Sequence, residues 1–200
     1  MRFQKGTNPN RPQKGSSIKV EPIRKKSEVR RIKELLSKNP THLCLFTVGI
    51  NTGFRCSDLL RITVSMVKDL HIGGEISIKE KKTGKLRKVN LNEEVINSIK
   101  GLLESKDYSD DDFLFTNQRG NVFSTPYVST MVKGWCQKVG LKGNYGSHTL
   151  RKTFGYRQRK EFGVSLPLLV DIFNHSSQKQ TLDYLCIQPE EKKNVYMNQL

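Results

Sequence analysis

Residues 42–51, HLCLFTVGIN, are apolar on nearly every side of a helix, and no other stretch restricts the fold as tightly. A helix without a polar face cannot lie on a surface and has to be wrapped by other elements. Asn39-Pro40 ahead of it and Asn51-Thr52-Gly53 behind it mark its limits. The expectation is a short central helix opening at Thr41. It is too short to cross a membrane, which takes about 20 consecutive apolar residues.

The rest of the chain supplies segments able to wrap it. Ser27 is a candidate cap for a first helix with Val29, Ile32, Leu35 and Leu36 as its apolar stripe. After a break at NTGFRCS, a short helix runs from Ser57 through Leu59, Leu60 and Ile62. EISIKE and LRKVNL alternate on either side of KTGK, which predicts a β-hairpin over 75–91. Asn92 opens a helix with Val95, Ile96, Ile99, Leu102 and Leu103 on one face, ended by the acidic DYSDDD. Phe113–Phe115 adds at most a short strand. Thr125-Pro126 starts a helix burying Val128, Met131, Val132, Trp135 and Val139. GLKGNYG leads into SHTLRKTFGYRQRKEFG, a helix with a strongly basic side; LPLLVDIFN, the polar run FNHSSQKQTLDYL and a final polar helix from Pro189 complete the chain. The fold class is mostly α with a small antiparallel β-sheet.

Charge narrows the partner. Thirty-five Lys and Arg against 19 Asp and Glu leave +16, which draws a protein to polyanions, nucleic acid above all. An anionic membrane is the weaker reading, since no apolar run of membrane length and no lipidation motif is present. The N-terminus lacks the apolar segment of a secretory signal. Cys44, Cys56, Cys136 and Cys186 have no metal-ligand spacing, so free thiols in a reducing cytoplasm are expected. Residues 1–26 hold three prolines, two glycines and eight Lys/Arg against Glu21 alone; they read as a basic flexible arm ahead of one domain over 27–200.

Several residues suit chemistry on an anion. Arg55 follows NTGF between two helices, where a turn can aim it. His148 and Arg151 lie three apart on one helical face. Lys82 and Lys85 flank the hairpin turn, His175 follows Asn174 at a helix end, and Tyr184 comes nine residues later in a run poor in core-forming side chains. Singly, each has an ordinary reading: a surface arginine or a partner for Asp58, a lysine at an exposed turn, a satisfied histidine, a packing tyrosine. Together they describe attack on a phosphodiester without metal. Guanidiniums grip the non-bridging oxygens, a lysine protonates the departing oxygen, a histidine handles the tyrosine proton, and the tyrosine is the nucleophile. No cofactor and no metal is expected. Lys81, Lys85 and Arg87 on the hairpin, and Lys152, Arg157 and Arg159 on the basic helix, are candidate DNA contacts.

In order and context these boxes resemble the tyrosine recombinases, the phage-integrase type. NTGFRCSDLLRI is similar to their first-arginine box, KKTGKLRKVNL to their catalytic-lysine hairpin, SHTLRKTFG to their H-x-x-R box and FNHSSQKQTLDYL to their terminal tyrosine box. The resemblance covers roughly residues 27–190 and implies their catalytic-domain fold. It further implies that Arg55, Arg151 and His175 bind the scissile phosphate and that Lys82 is general acid to the 5′ oxygen. His148 would be the proton partner of Tyr184, and Tyr184 would form a 3′-phosphotyrosyl intermediate. The polar run would be a flexible link carrying the nucleophile. Most such proteins carry a separate N-terminal core-binding domain; the expectation here is a short form in which only the basic tail precedes the catalytic domain.

The implied activity is site-specific recombination of double-stranded DNA: integration, excision, inversion or resolution of a mobile element or plasmid. The protein would work in a bacterial cytoplasm at the nucleoid, as a homo-oligomer, a tetramer joined through its C-terminal segment. A DNA-binding regulator that uses the fold without cutting is the alternative, and a relaxing type IB topoisomerase shares the chemistry. Six filled catalytic positions favour the recombinase.

Overall fold

Asn39 accepts the His42 amide at 3.0 Å and Pro40 supplies the first turn, so the buried helix begins one residue before Thr41. The computed structural model of the chain describes residues 19–186 together with 196 and 197. In it, α1 (Lys26–Leu36) precedes this helix, α2 (Pro40–Thr52), and α3 (Cys56–Leu59) follows. The hairpin is β1 (Glu75–Lys79) and β2 (Leu86–Asn90), leading to α4 (Glu93–Leu103), α5 (Thr125–Lys138) and α6 (Ser147–Lys160). Two short helices, α7 (Leu166–Phe173) and α8 (Gln178–Leu185), follow.

Eight of the thirteen residues of α2 are buried, from Cys44 to Thr52, because α1, α4 and α6 pack around it. Among the described residues no helix is long and apolar enough to cross a membrane. In the hairpin Ile76 pairs with Val89 and Ser77 with Lys88, which turns Ile76 and Ile78 into the core. Phe113–Phe115 forms no named strand; Phe113 makes a single bridge to Thr63 and the Leu114 amide donates to Ile62 O at 2.8 Å.

Three expectations are corrected. The first helix starts at Lys26, with Lys25 rather than Ser27 in the cap position and Glu28 accepting the Lys25 amide at 3.1 Å. Its stripe is Val29, Ile32 and Leu36, and Leu35 is 42 % exposed, since a helix places residue 35 about 100° away from residue 36. Residues 19–26 belong to the body rather than to the arm: the Glu21 amide donates to Asn144 O at 2.7 Å, the Ile23 amide donates to Thr153 Oγ1 at 2.9 Å, and Ile23 is fully buried. Residues 1–18 lie outside the described residues, as does nearly all of the helix expected from Pro189.

The third correction concerns the polar run, which is helix α8 and not a link. Ser177 caps it by accepting the Gln180 amide at 3.2 Å, and Thr181 and Leu185, four apart, give it a buried stripe. That stripe docks on α6 and α7 in a second, smaller core of Leu169, Phe173 and Leu185 flanked by Phe154, Ile172 and Leu182. Gly155 makes the docking possible: a Cβ there would meet Phe173 Cζ at 2.5 Å and Leu185 Cδ2 at 2.6 Å.

Gly155→Ala is therefore expected to destabilise the protein by about 1–3 kcal/mol through overpacking. Gly101→Ala, at an exposed site of α4 with nothing within 4 Å, is expected to be neutral or to stabilise by up to about 1 kcal/mol. Urea unfolding of the two variants checks the contrast.

Candidate active site

The C-terminal end of α2 is where the pieces meet. Gly53, in the left-handed region at φ 59°, ends the helix and leaves the Thr52 and Gly53 carbonyls without helical partners. Arg87, from β2, donates to both: Nη2 to Thr52 O at 2.8 Å and Nη1 to Gly53 O at 3.0 Å. Arg151, in the second turn of α6 and only 3 % exposed, donates Nη1 to the same Gly53 O and Nη2 to Phe173 O at 2.9 Å. One guanidinium thus ties the ends of α2 and α7 together. It also lies over the Phe173 ring, 4.6 Å from the centroid.

Arg55 reaches the same place from the loop before α3. Its backbone is extended (φ −64°, ψ 145°), and Nη1 lies 2.5 Å from Glu80 Oε1. The contact is an ion pair without hydrogen-bond alignment, since Nη1 is buried and has no properly directed acceptor. Arg87 Nη1 lies 3.8 Å from the same carboxylate oxygen. Arg151 and Arg87 therefore share the Gly53 carbonyl, and Arg87 and Arg55 share Glu80. Burial lowers the Arg151 pKa to about 10, helped by the Arg87 and Arg55 charges and opposed by Tyr184.

Tyr184 enters from α8. Its ring lies edge-on to His175 with centroids 5.2 Å apart and tilted against Phe173 at 5.5 Å, and the Lys152 ammonium is 4.9 Å from its centroid. The hydroxyl is buried beside Arg151 and has no well-formed hydrogen bond. Burial, against the pull of Arg151 and Arg55, pushes its pKa up to about 12. His175 follows Asn174, which takes the left-handed conformation (φ 50°) that ends α7. Its ring stacks on Phe173 at 5.3 Å and Nδ1 is 2.9 Å from Thr181 Oγ1. Burial, then the charges of Arg151, Arg55 and Lys82, lowers the His175 pKa to about 4.

His148 and Lys82 lie at the rim, both exposed. The protein packed about the His148 ring lowers its pKa, and the charges of Arg151, Lys152, Arg55 and Lys82 act in the same direction. Lys81 and Lys85 are exposed on the turn; the Lys81 amide donates to Asp58 Oδ1 at 2.9 Å, and Lys85 Nζ donates to Asn174 Oδ1 at 3.0 Å, tying the hairpin to the α7–α8 turn. The three cations expected on an exposed face of α6 are differently used. Lys152 is 5 % exposed, beneath α8, with Nζ 3.5 Å from Cys186 Sγ. Arg157 pairs with Glu161 at 2.9 Å, and Arg159 donates to Val164 O at 3.4 Å. The reason is that α6 is covered by α2 on one side and by α7 and α8 on the other, so little of it remains a free basic face.

Two acids complete the site: Asp58, which the sequence offers as an ordinary partner for Arg55, and Glu80, which the sequence reading missed. Asp58 is fully buried, with Oδ1 on the Lys81 amide and Oδ2 without a partner. Glu80, also buried, accepts from Thr83 Oγ1 at 2.7 Å as well as pairing with Arg55. Burial alone would raise its pKa, but Thr83 and Arg55 more than offset it and hold the carboxyl below its usual value. Asp58 was visible three residues after Arg55; no local signal marks Glu80, whose neighbours are set by the hairpin folding back onto α3.

A helical domain with one hairpin, a cluster of guanidiniums and a buried tyrosine on α8 defines the catalytic domain of a tyrosine recombinase. The chain belongs to the Phage integrase family, whose profile matches residues 22–191. It is 33 % identical over 181 residues to the probable integrase/recombinase YoeC of Bacillus subtilis (strain 168), covering 88 % of this chain and 95 % of that one. The crystal structure of XerA recombinase superimposes with a TM-score of 0.73 at 25 % identity, over 88 % of this chain and 65 % of that one. XerH recombinase bound to its difH DNA has the same fold, with a TM-score of 0.69 at 22 % identity over 92 % and 55 % of the two chains. Unlike YoeC, other tyrosine recombinases that the chain matches are longer, and it spans about half of their length.

The His175 shift carries a pH signature. A histidine kept neutral in the fold and free to protonate when unfolded makes the unfolded state bind more protons, so stability rises with pH between the two pKa values. Its contribution is complete above 6.5 and is lost as pH falls toward about 4. Unfolding of His175→Gln, measured across that window, is expected to decline less steeply than wild type. His148 keeps part of the slope, because its pKa is lowered as well.

Proposed function

We propose that the protein is a site-specific DNA recombinase that cuts and rejoins duplex DNA through a 3′-phosphotyrosyl intermediate. One observation carries the reading: in one cationic site Arg55 Nη1 is buried with no aligned acceptor beyond its ion pair to Glu80, and Asp58 Oδ2 and the Tyr184 hydroxyl beside Arg151 are buried without a well-formed hydrogen bond. Unpaired buried polar groups are costly, and a phosphodiester supplies acceptors for the donors among them. DNA as the partner is supported by the +16 charge and by the DNA-bound XerH likeness.

In this mechanism Arg55, Arg151 and His175 hold the non-bridging oxygens of the scissile phosphate. Tyr184 Oη loses its proton to His148 and bonds to phosphorus; the bond from phosphorus to the 5′ oxygen breaks, and Lys82 gives that oxygen a proton. Attack by a 5′ hydroxyl reverses the sequence and frees the tyrosine. No electron is transferred and the phosphodiester energy is conserved in the intermediate. Because the Tyr184 pKa is about 12, the hydroxyl stays protonated at neutral pH until the phosphate and its base are in place. Exchange between two duplexes needs four strand cuts, and one nucleophile per chain makes the working unit a tetramer on DNA.

Incubation with a nicked suicide duplex tests the chemistry. Wild type is expected to give a covalent adduct that maps to Tyr184, and Tyr184→Phe is expected to bind DNA normally and give none. Tyr196, 86 % exposed, is the rival attachment site. An adduct there, or none from wild type on any substrate, would overturn the assignment.

Binding itself should weaken steeply with salt. Removing residues 1–18, which carry Arg2, Lys5, Arg11 and Lys14 and no acid, is expected to lower the slope of log K against log salt by about 0.9 for each phosphate those residues neutralise. Sequence preference should survive, because phosphate contacts position without specifying. Titrations at several salt concentrations on cognate and scrambled duplexes read both.

A further inference from the structure

Glu80 takes no part in the steps above, yet it joins the two groups whose relative placement those steps require. Its side chain, 3 % exposed, pairs through Oε1 with Arg55 and through Oε2 accepts the hydroxyl of Thr83 at 2.7 Å. Thr83 is the residue after Lys82. The backbone of Glu80 closes the same turn: its amide donates to Lys85 O at 2.9 Å and its carbonyl accepts the Gly84 amide at 2.9 Å. Lys82 therefore projects from a turn that hangs on Glu80, while the other oxygen of the same carboxylate fixes the Arg55 guanidinium. Gly84, in the left-handed region at φ 69°, lets the turn close tightly enough for Thr83 to reach back.

We propose that Glu80 is a positioning residue that sets Lys82 relative to Arg55, so that the group protonating the 5′ oxygen and the group holding the phosphate move as one unit. The inference rests on the recombinase reading and deepens it. A lysine on a free two-strand ribbon would sample a wide arc; a carboxylate buried between the turn and a fixed arginine removes that freedom. A structural role alone, in which Glu80 only offsets the positive charge of Arg55 and Arg87, would not depend on Thr83.

The test compares single-turnover adduct formation on two nicked duplexes, one with the natural 5′ bridging oxygen and one with sulfur in its place, a leaving group that needs no proton. Glu80→Gln keeps the shape of the side chain and removes its charge. Thr83→Val, on the exposed turn, breaks only the bond that links the carboxylate to the turn. Lys82→Ala is the reference.

On the oxygen substrate both variants are expected to slow cleavage by roughly 10- to 10²-fold, the scale of a misplacement near 1 Å, with DNA affinity kept or raised. On the sulfur substrate Thr83→Val should recover most of that loss, as Lys82→Ala does, and Glu80→Gln should recover only part of it, because it also loosens Arg55. Equal defects of Thr83→Val on both substrates, or a Thr83→Val rate like that of wild type on oxygen, would overturn the proposal while leaving the cleavage chemistry intact. No adduct from wild type on either substrate would overturn both. Should Glu80→Gln fail to fold, Thr83→Val decides alone, since it leaves the Arg55 ion pair in place.

Discussion

At the end of α2 two carbonyls, those of Thr52 and Gly53, face the interior with no helical amide left to bond them. Leaving such acceptors bare costs about 1–3 kcal/mol each, and the partial negative charge of a helix C-terminus attracts cations. Arg87 and Arg151 answer both needs at once. Because α2 is buried among α1, α3, α4 and α6, a guanidinium bonded to its end is anchored on a packed element. The hairpin comes in through Arg87, α6 through Arg151, and α7 through the Phe173 carbonyl on the same arginine.

Gathering guanidiniums is unfavourable unless something offsets their charge. Arg55, Arg87 and Arg151 face only two buried carboxylates, Asp58 and Glu80, among the described residues, so the site stays positive and retains unfilled donors. That incomplete compensation is what a phosphate-binding site requires: enough negative charge to let the arginines pack, too little to satisfy them. The lowered pKa values of His148 and His175 are the same field acting on neutral bases after burial has begun the shift. The pull of Arg151 and Arg55 on Tyr184 acts against burial and does not overcome it.

Much of this was legible in one dimension. Periodicities of two and of 3.6 marked the hairpin and the long helices, Asn39-Pro40 marked a boundary, and Asn92 and Thr125-Pro126 acted as starts because capping is local chemistry. Polar content misled where a helix is short. The run 176–183 has too few apolar residues to announce a helix, yet Thr181 and Leu185 suffice once Gly155 lets α8 approach α6 closely. The basic residues of α6 misled in the opposite way. Lys152 looks like a surface cation until two more helices cover it, and Arg157 is paired with Glu161.

By itself the sequence determined the class of elements, the central position of α2 and the kinds of side chain brought to the site, since hydrophobic period, caps and turn residues act over a few positions. Which oxygen each guanidinium holds, that Glu80 and not Asp58 pairs with Arg55, and that Lys152 lies under the tyrosine ring were decided only by the tertiary structure. Those partners are separated by 25 residues for Arg55 and Glu80, 32 for Lys152 and Tyr184 and 98 for Gly53 and Arg151. Contacts at such separations follow from how α2 is wrapped, and no local pattern encodes them.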